Sequence, residues 1–204
     1  MTVTSGQRGR RSLPGPLDPV WVLPHVGAMK AETRDALRLR DGCVEDSDAI
    51  EAVHYASREA VYSHKVADWP PIGPDRSGRV ELWSQWLSDP DIVSIVGEVS
   101  GEIVGFCTIR ASGDDDADAT VVAEMPTLYV SPEAWGRGHG RVLCQDALRR
   151  AREGGFEVLT LWVLEMNTRA RRFYSAFGFT LDAASKTVEG TSEGLIALRY
   201  RIQL

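Results

Sequence analysis

The sequence predicts a mixed α/β fold, a largely antiparallel sheet flanked by helices. Three observations predict it: period-two apolar runs in the middle of the chain joined by a Ser-Gly turn, amphipathic helical stretches before and between such runs, and more strand-like segments than helical ones. The chain has 204 residues, enough for one domain and one active site. With 43% apolar and 25% charged residues it is composed like an ordinary globular protein, which excludes wholesale disorder and a fibrous repeat.

Residues 1–36 are rich in Gly and Pro without a sustained period and are expected to form a flexible extension ahead of a domain at 37–204. Leu37–Cys43 reads as a first strand. Asp46 or Asp48 is placed to cap a helix with Ile50, Val53, Ala56 and Val61 inward. A Pro/Gly-rich loop from Trp69 to Pro74 leads to a helix over Asp75–Leu87, with Val80, Trp83 and Leu87 on one side. Ile92–Val99 and Ile103–Arg110 form a hairpin around Ser100-Gly101, and an acidic linker separates them from a strand at Val121–Val130. Arg141–Glu153 reads as a helix with Val142, Leu143, Ala147, Leu148 and Ala151 inward, stopped by Gly154 and Gly155. Glu157–Leu164 is an apolar strand, Thr168–Phe177 a short helix capped by Asn167, and Phe179–Val188 with Leu195–Ile202 a closing hairpin.

Charge and cysteine usage narrow the function classes. Twenty-three Lys and Arg against 29 Asp and Glu give a net charge of −6, which argues against nucleic acid as the main partner. No apolar run approaches a membrane span, so no membrane partner is expected. Cys43, Cys107 and Cys144 are widely spaced without a Cys-x-x-Cys pair, consistent with reduced, buried thiols and a cytoplasmic location. No His/Cys/Asp cluster has metal-ligand spacing, so no metal is expected, and there is no G-x-S-x-G nucleophile elbow.

The most informative stretch runs from Leu128 to Leu143. A strand ends, Pro132 turns the chain, and Gly136, Gly138 and Gly140 lead straight into a helix. Backbone N–H groups left unpaired and converging at such a helix start, together with the helix dipole, favour an anion and make the loop a candidate pyrophosphate cradle. A tight strand-to-helix turn is the alternative use of the same glycines. No Lys-Ser or Lys-Thr follows, which excludes a Walker loop, and the spacing is G-x-G-x-G, not the dinucleotide fingerprint.

The segment resembles the acyl-CoA-binding motif of the GNAT N-acetyltransferase family, Q/R-x-x-G-x-G/A after an apolar strand and a Pro, here Trp135-x-x-Gly138-x-Gly140 with Trp135 departing from Gln or Arg. A second family signature follows: Leu161-Trp162-Val163-Leu164, then Asn167-x-x-Ala170-x-x-Phe173-Tyr174-x-x-x-Gly178-Phe179. The resemblance covers residues 37–204 and implies an acetyl-CoA-dependent N-acetyltransferase with a splayed central strand pair. It implies that Gly136, Arg137, Gly138, His139, Gly140 and Arg141 hold the pyrophosphate, that the main chain of Leu128, Tyr129 and Val130 pairs with the pantetheine arm, and that Asn167 bonds near the cofactor. It further implies Tyr174 as general acid for the departing thiolate and Glu124 as a base acting on the amine through water. Pro126, inside the strand, fits the bulge at which family strands splay.

Physical reading of the same residues leaves choices open. On the short helix, Phe173 and Phe177 are expected to pack inward, swinging Tyr174 toward the open edge of the sheet. His139 faces either a phosphate or solvent. Asp114, Asp115, Asp116 and Asp118 either attract a cationic substrate or are a solvated loop. At pH 7 a lysine amine is neutral at roughly 0.04% and an α-amine at roughly 10%, so an α-amine needs less from Glu124. Trp69, Pro70 and Pro71 either wall an acceptor site or pack the loop. A non-catalytic acyl-CoA-binding module and a domain that docks a partner through its extension are the competing classes, and a homodimer is left open. Residues 137–172 hold eight arginines against four acidic residues, so the rest of the chain carries −10, and the positive charge gathers around the proposed phosphate site.

Overall fold

The computed structural model describes residues 36–63, 75–188 and 194–204. The extension expected at 1–36 lies outside them except for Ala36, and so do Trp69, Pro70 and Pro71. The elements are β1 (Arg38–Asp41), α1 (Ser47–Tyr62), α2 (Arg76–Ser88), β2 (Val93–Val99), β3 (Glu102–Ala111), β4 (Val122–Val130), α3 (His139–Glu153), β5 (Val158–Leu164), α4 (Thr168–Ala176), β6 (Thr180–Thr187) and β7 (Ile196–Gln203). Local chemistry explains several bounds. Ser100 and Gly101 take φ of 54° and 87°, the left-handed values a two-residue hairpin turn needs between β2 and β3. Asp75 caps α2 by accepting the Gly78 N–H at 2.9 Å, and Asn167 caps α4 by accepting the Ala170 N–H at 3.0 Å.

The described strands form one seven-stranded sheet in the order β1-β2-β3-β4-β5-β7-β6. Every neighbouring pair is antiparallel except β4 and β5, which are joined through α3 and run parallel. Side chains alternate between the two faces of β3. Phe106 meets Trp83 of α2 at 5.1 Å between ring centroids, and Arg110 lies over Trp86 at 5.3 Å, so these residues mark the α1/α2 face. Cys107 donates its thiol to the Leu143 carbonyl at 3.8 Å, which puts α3 on the other face.

Several expectations are corrected. α3 begins at His139, two residues ahead of the expected start, and Val142 is exposed while Leu143, Cys144, Ala147 and Ala151 are buried. Cys43 is exposed, not a buried thiol, and donates to Asp46 Oδ2 at 3.4 Å. Asp46 does not cap α1 with its side chain. Its carboxylate takes the Arg40 guanidinium at 2.6 and 2.8 Å and the Cys43 N–H at 2.9 Å, and Arg40 foremost holds it below the usual aspartate range. The acidic linker is partly tied down: Arg199, buried on β7, bonds Asp116 at 2.6 and 2.7 Å, Asp114 at 3.1 Å and Asp182 at 3.1 Å.

The largest departure is in α1. Ile50 and Val53 are buried as expected, but Ala56 and Val61 are only half-buried, and the helix also buries Ser47, Glu51, His54, Ser57, Arg58 and Tyr62. Positions 47, 51, 54, 58 and 62 fall on one face at helical spacing, so the stripe that enters the core is polar. Such a layer is tolerated only when hydrogen-bonded. Glu51 accepts Arg79 Nε at 2.5 Å and the Trp83 indole N–H at 3.1 Å, and Ser57 Oγ donates to the Val130 carbonyl at 2.8 Å. Burial alone would raise the Glu51 pKa, but His54 and Arg79 beside it keep it below the ordinary value.

His54 is 4% exposed, with its ring edge-on to Tyr129 at 4.8 Å and Trp83 at 5.2 Å, and its Nδ1 is 3.6 Å from Glu51 Oε2. Burial, aided by the Arg58 and Arg79 cations, holds its pKa below the usual histidine value despite the pull of Glu51. As pH falls through about 6.5, the unfolded chain takes a proton here that the folded chain refuses, so stability falls. A group that stayed neutral throughout in the folded chain would lose at most about 1.4 kcal/mol between pH 7.5 and 5.5. Urea denaturation across that range should show the wild type losing more stability than His54→Phe by up to this amount; identical slopes would rule out His54 as the source.

Candidate active site at a gap between parallel strands

β4 and β5 start side by side and then part. Val122, Ala123 and Glu124 lie opposite Val158, Leu159 and Thr160, and Thr160 Oγ1 donates to the Ala123 carbonyl at 3.0 Å. There the ladder stops, although β4 runs on to Val130 and β5 to Leu164. The cause is next in sequence. Between the pairs Arg110↔Glu124 and Thr108↔Thr127, β4 advances three residues while β3 advances two, a bulge that contains Pro126. Proline has no N–H to give a ladder, so a bulge is where a strand can carry it.

The bulge also resets which main-chain groups face which neighbour. Ser131 N–H bonds the Val104 carbonyl at 2.8 Å, and Tyr129 pairs with Phe106. Antiparallel alternation then directs the main chain of Tyr129 to β3 and turns that of Leu128 and Val130 away from it, toward the side where β5 has departed. Of the three residues expected to pair with a pantetheine arm, Leu128 and Val130 thus present their main chain to the gap, whereas Tyr129 sends its side chain to His54 and Phe106 on the α1/α2 face.

At the end of β4 the chain turns through Pro132–Ala134 and enters the glycine loop. Gly136 and Gly138 have φ of 79° and 86°, values that favour glycine, and Gly138 is the N-cap of α3 without a side-chain cap. The N–H groups of Arg141 and Val142 return to the Gly138 carbonyl at 2.9 and 3.2 Å. Gly136, Arg137, Gly138 and Arg141 are exposed, whereas Gly140 is buried, and His139 is 7% exposed, which removes the solvated-bystander reading of this histidine. The loop therefore offers helix-start amides and two arginines on one surface.

Tyr174 lies on α4 and is wholly buried instead of swinging outward, while Phe173 is buried as expected at 6% and Phe177 is only half-buried. Its ring contacts Phe173 and Phe179 at 5.4 and 5.5 Å, and its hydroxyl has no hydrogen-bond partner. Burial first, then the thiols of Cys144 and Cys107 and the phenol of Tyr129, push its pKa well above the usual tyrosine value. Glu124 is 8% exposed at the last rung of the β4–β5 ladder, and its Oε2 accepts Arg110 Nη2 at 3.3 Å. Arg110 Nε is buried without a partner. Sequence reading did not single out Arg110, although its period-two place after Phe106 and Thr108 was the available signal.

The eight arginines of residues 137–172 do not all serve the loop. Arg149 pairs with Asp146 and Glu153, Arg150 with Asp146 and Asp41, and Arg171 bonds the Tyr200 hydroxyl and the Glu165 carbonyl, both at 3.1 Å. Arg137 and Arg141 stand at the loop itself, with Arg141 over the Phe177 ring at 4.9 Å. Among the described residues no group of His, Cys, Asp and Glu is arranged to hold a metal ion, and no helix is long and apolar enough to cross a membrane.

Comparison with known proteins fits this geometry. A mycothiol acetyltransferase of Sanguibacter keddieii is 41% identical over 86 residues, 42% of this chain and 27% of that protein, so the chain spans about a quarter of that relative's length. An N-acetyltransferase of Archaeoglobus fulgidus is 36% identical over 102 residues, 50% of this chain and 69% of that protein. The structure of yncA from Salmonella typhimurium, solved with its cofactor acetyl-CoA, superposes with a TM-score of 0.65 at 22% identity, covering 83% of this chain and 95% of that one, and so shares the fold. The family described as Acetyltransferase (GNAT) matches residues 58–179, a stretch that holds the bulge, the glycine loop and Tyr174. That match spans more than half of the sequence, and the chain belongs to the GNAT acetyltransferase family.

Proposed function

We propose that the protein transfers the acetyl group of acetyl-CoA directly to a primary amine of a small molecule, peptide or protein. The observation that carries this reading is the early end of the β4–β5 ladder, with the main chain of Leu128 and Val130 turned into the gap and the glycine loop at its mouth. An extended amide-bearing arm fits such a strand edge, and a pyrophosphate fits the start of α3. Gly136, Arg137, Gly138, His139, Gly140, Arg141 and Asn167 form the cofactor side of the proposal. Acetyl-CoA, when bound, supplies a thioester.

The chain's residues then handle protons. Glu124 takes the proton of the attacking amine through a water, held in place by Arg110 on the neighbouring strand. Tyr174 keeps its proton at neutral pH because burial disfavours the phenolate, and it gives that proton to the leaving sulfur as the carbon–sulfur bond breaks. Its lack of a protein partner suits this role, since no competing hydrogen bond must be broken. Because relatives include mycothiol acetyltransferases, the unacetylated form of mycothiol belongs in the acceptor panel, beside amino acids, peptides, polyamines and aminoglycosides.

Thiol release from acetyl-CoA over that panel tests the reading directly, and release with no amine at all would count against it. Tyr174→Phe should lower turnover by at least tenfold with little change in acetyl-CoA affinity; full activity in this variant would remove Tyr174 as the acid. Glu124→Gln should lose activity most at low pH and progressively less as pH rises, because the neutral amine fraction then grows without help. A loss that stays constant from pH 6 to 9 would argue that Glu124 only supports the strand.

A further inference from the structure

The residue that departs from the resembling motif has a defined place. Trp135 donates its indole N–H to the Val130 carbonyl at 2.5 Å, and the same carbonyl accepts Ser57 Oγ at 2.8 Å. The last outward acceptor of β4 is therefore filled, and the glycine loop is pinned to the strand that precedes it. The exposed Arg169, in the first turn of α4, lies over the Trp135 ring at 5.1 Å. Trp135 stands five residues beyond the end of β4 and Arg169 five beyond the end of β5, so their contact spans the open end of the gap.

A guanidinium stacks with its face and binds phosphate with its edge, so one arginine can rest on an indole and still receive an oxyanion. Its position across the gap from the α3 amides suits an anion that is already held at the glycine loop. Where the family motif has a polar or cationic side chain, this chain has an aromatic that carries a cation from another helix. We propose that Arg169, carried on the Trp135 ring, is a phosphate-binding group for the nucleotide end of the cofactor. This rests on the acetyl-CoA reading above.

Isothermal titration of the full chain with CoA, 3′-dephospho-CoA and pantetheine tests it. Arg169→Met should weaken CoA binding about tenfold and leave pantetheine binding unchanged, as expected for a lost charge-assisted contact. A loss seen with CoA but not with dephospho-CoA identifies the 3′-phosphate as the partner, and an equal loss with both identifies the pyrophosphate. Trp135→Leu, which removes the seat, should weaken CoA roughly three- to fivefold, while Trp135→Phe, which keeps a ring, should lie close to wild type. Arg169→Met binding CoA within twofold of wild type, or losing pantetheine in equal measure, would overturn the assignment. Failure of the wild type itself to bind CoA would instead overturn the acetyl-CoA reading.

Discussion

One missing N–H organises much of the molecule. Pro126 cannot contribute a rung to either neighbour of β4, and the bulge that accommodates it shifts the register against β3 by one residue. Below the bulge, β4 is an ordinary inner strand paired on both sides; above it, β4 keeps β3 and loses β5. An inner strand with an unpaired edge is costly unless something satisfies it. Val130 shows one solution, its carbonyl receiving both Ser57 and Trp135. Leu128 lies deeper, wholly buried, with its main chain turned the same way, and an extended ligand is the natural complement to that edge.

The charge distribution follows from the same constraint. A phosphate-bearing arm entering the gap needs cations at its mouth and not along the outer surface of α3. The structure divides the arginines accordingly: Arg149 and Arg150 on the second half of α3 are matched by Asp146, Glu153 and Asp41, whereas Arg137 and Arg141 stand at the loop. On β7, next to the edge strand β6, Arg199 gathers Asp114, Asp116 and Asp182, so two of the four linker aspartates hold the β3–β4 connection against β7. The linker is thus less a lure for a cationic acceptor than its composition suggests, since Asp114 and Asp116 are already paired with Arg199.

What was legible in the sequence was local. The Ser100-Gly101 turn, the cap at Asn167, the bulge at Pro126 and the glycine loop each depend on residues within a few positions of one another, and all lie close to where periodicity and turn chemistry put them. What was not legible depends on partners far along the chain. The burial of Glu51 and His54 on α1 has no local signal, because the groups that receive them, Arg79, Trp83 and Tyr129, lie elsewhere in sequence. Val142 reads as inward by hydrophobicity, but the face of α3 that meets the sheet is filled by Leu143, Cys144 and Ala147. The insertion of β7 between β5 and β6 likewise leaves no mark in local pattern. Trp135 appeared as a defect in a motif until the structure showed the carbonyl it holds.

The two proposed proton carriers approach the gap from different sides of the sheet. Glu124 shares a face with Arg110, which lies over Trp86 of α2. Tyr174 comes from α4, which touches α3 through the Arg141–Phe177 contact, and after burial itself it is Cys144 of α3 that raises its pKa. An intact β4–β5 ladder would separate these faces with a continuous wall of backbone, and no single reacting centre would be reachable from both. The parting of the strands makes one line of approach possible: amine and base from the α1/α2 side, leaving sulfur and acid from the α3/α4 side. On the proposed reading, the acceptor would meet the α1/α2 face, where the buried polar stripe of α1 and the Arg110–Glu124 pair lie, and that face is separate from the strand edge proposed for the cofactor.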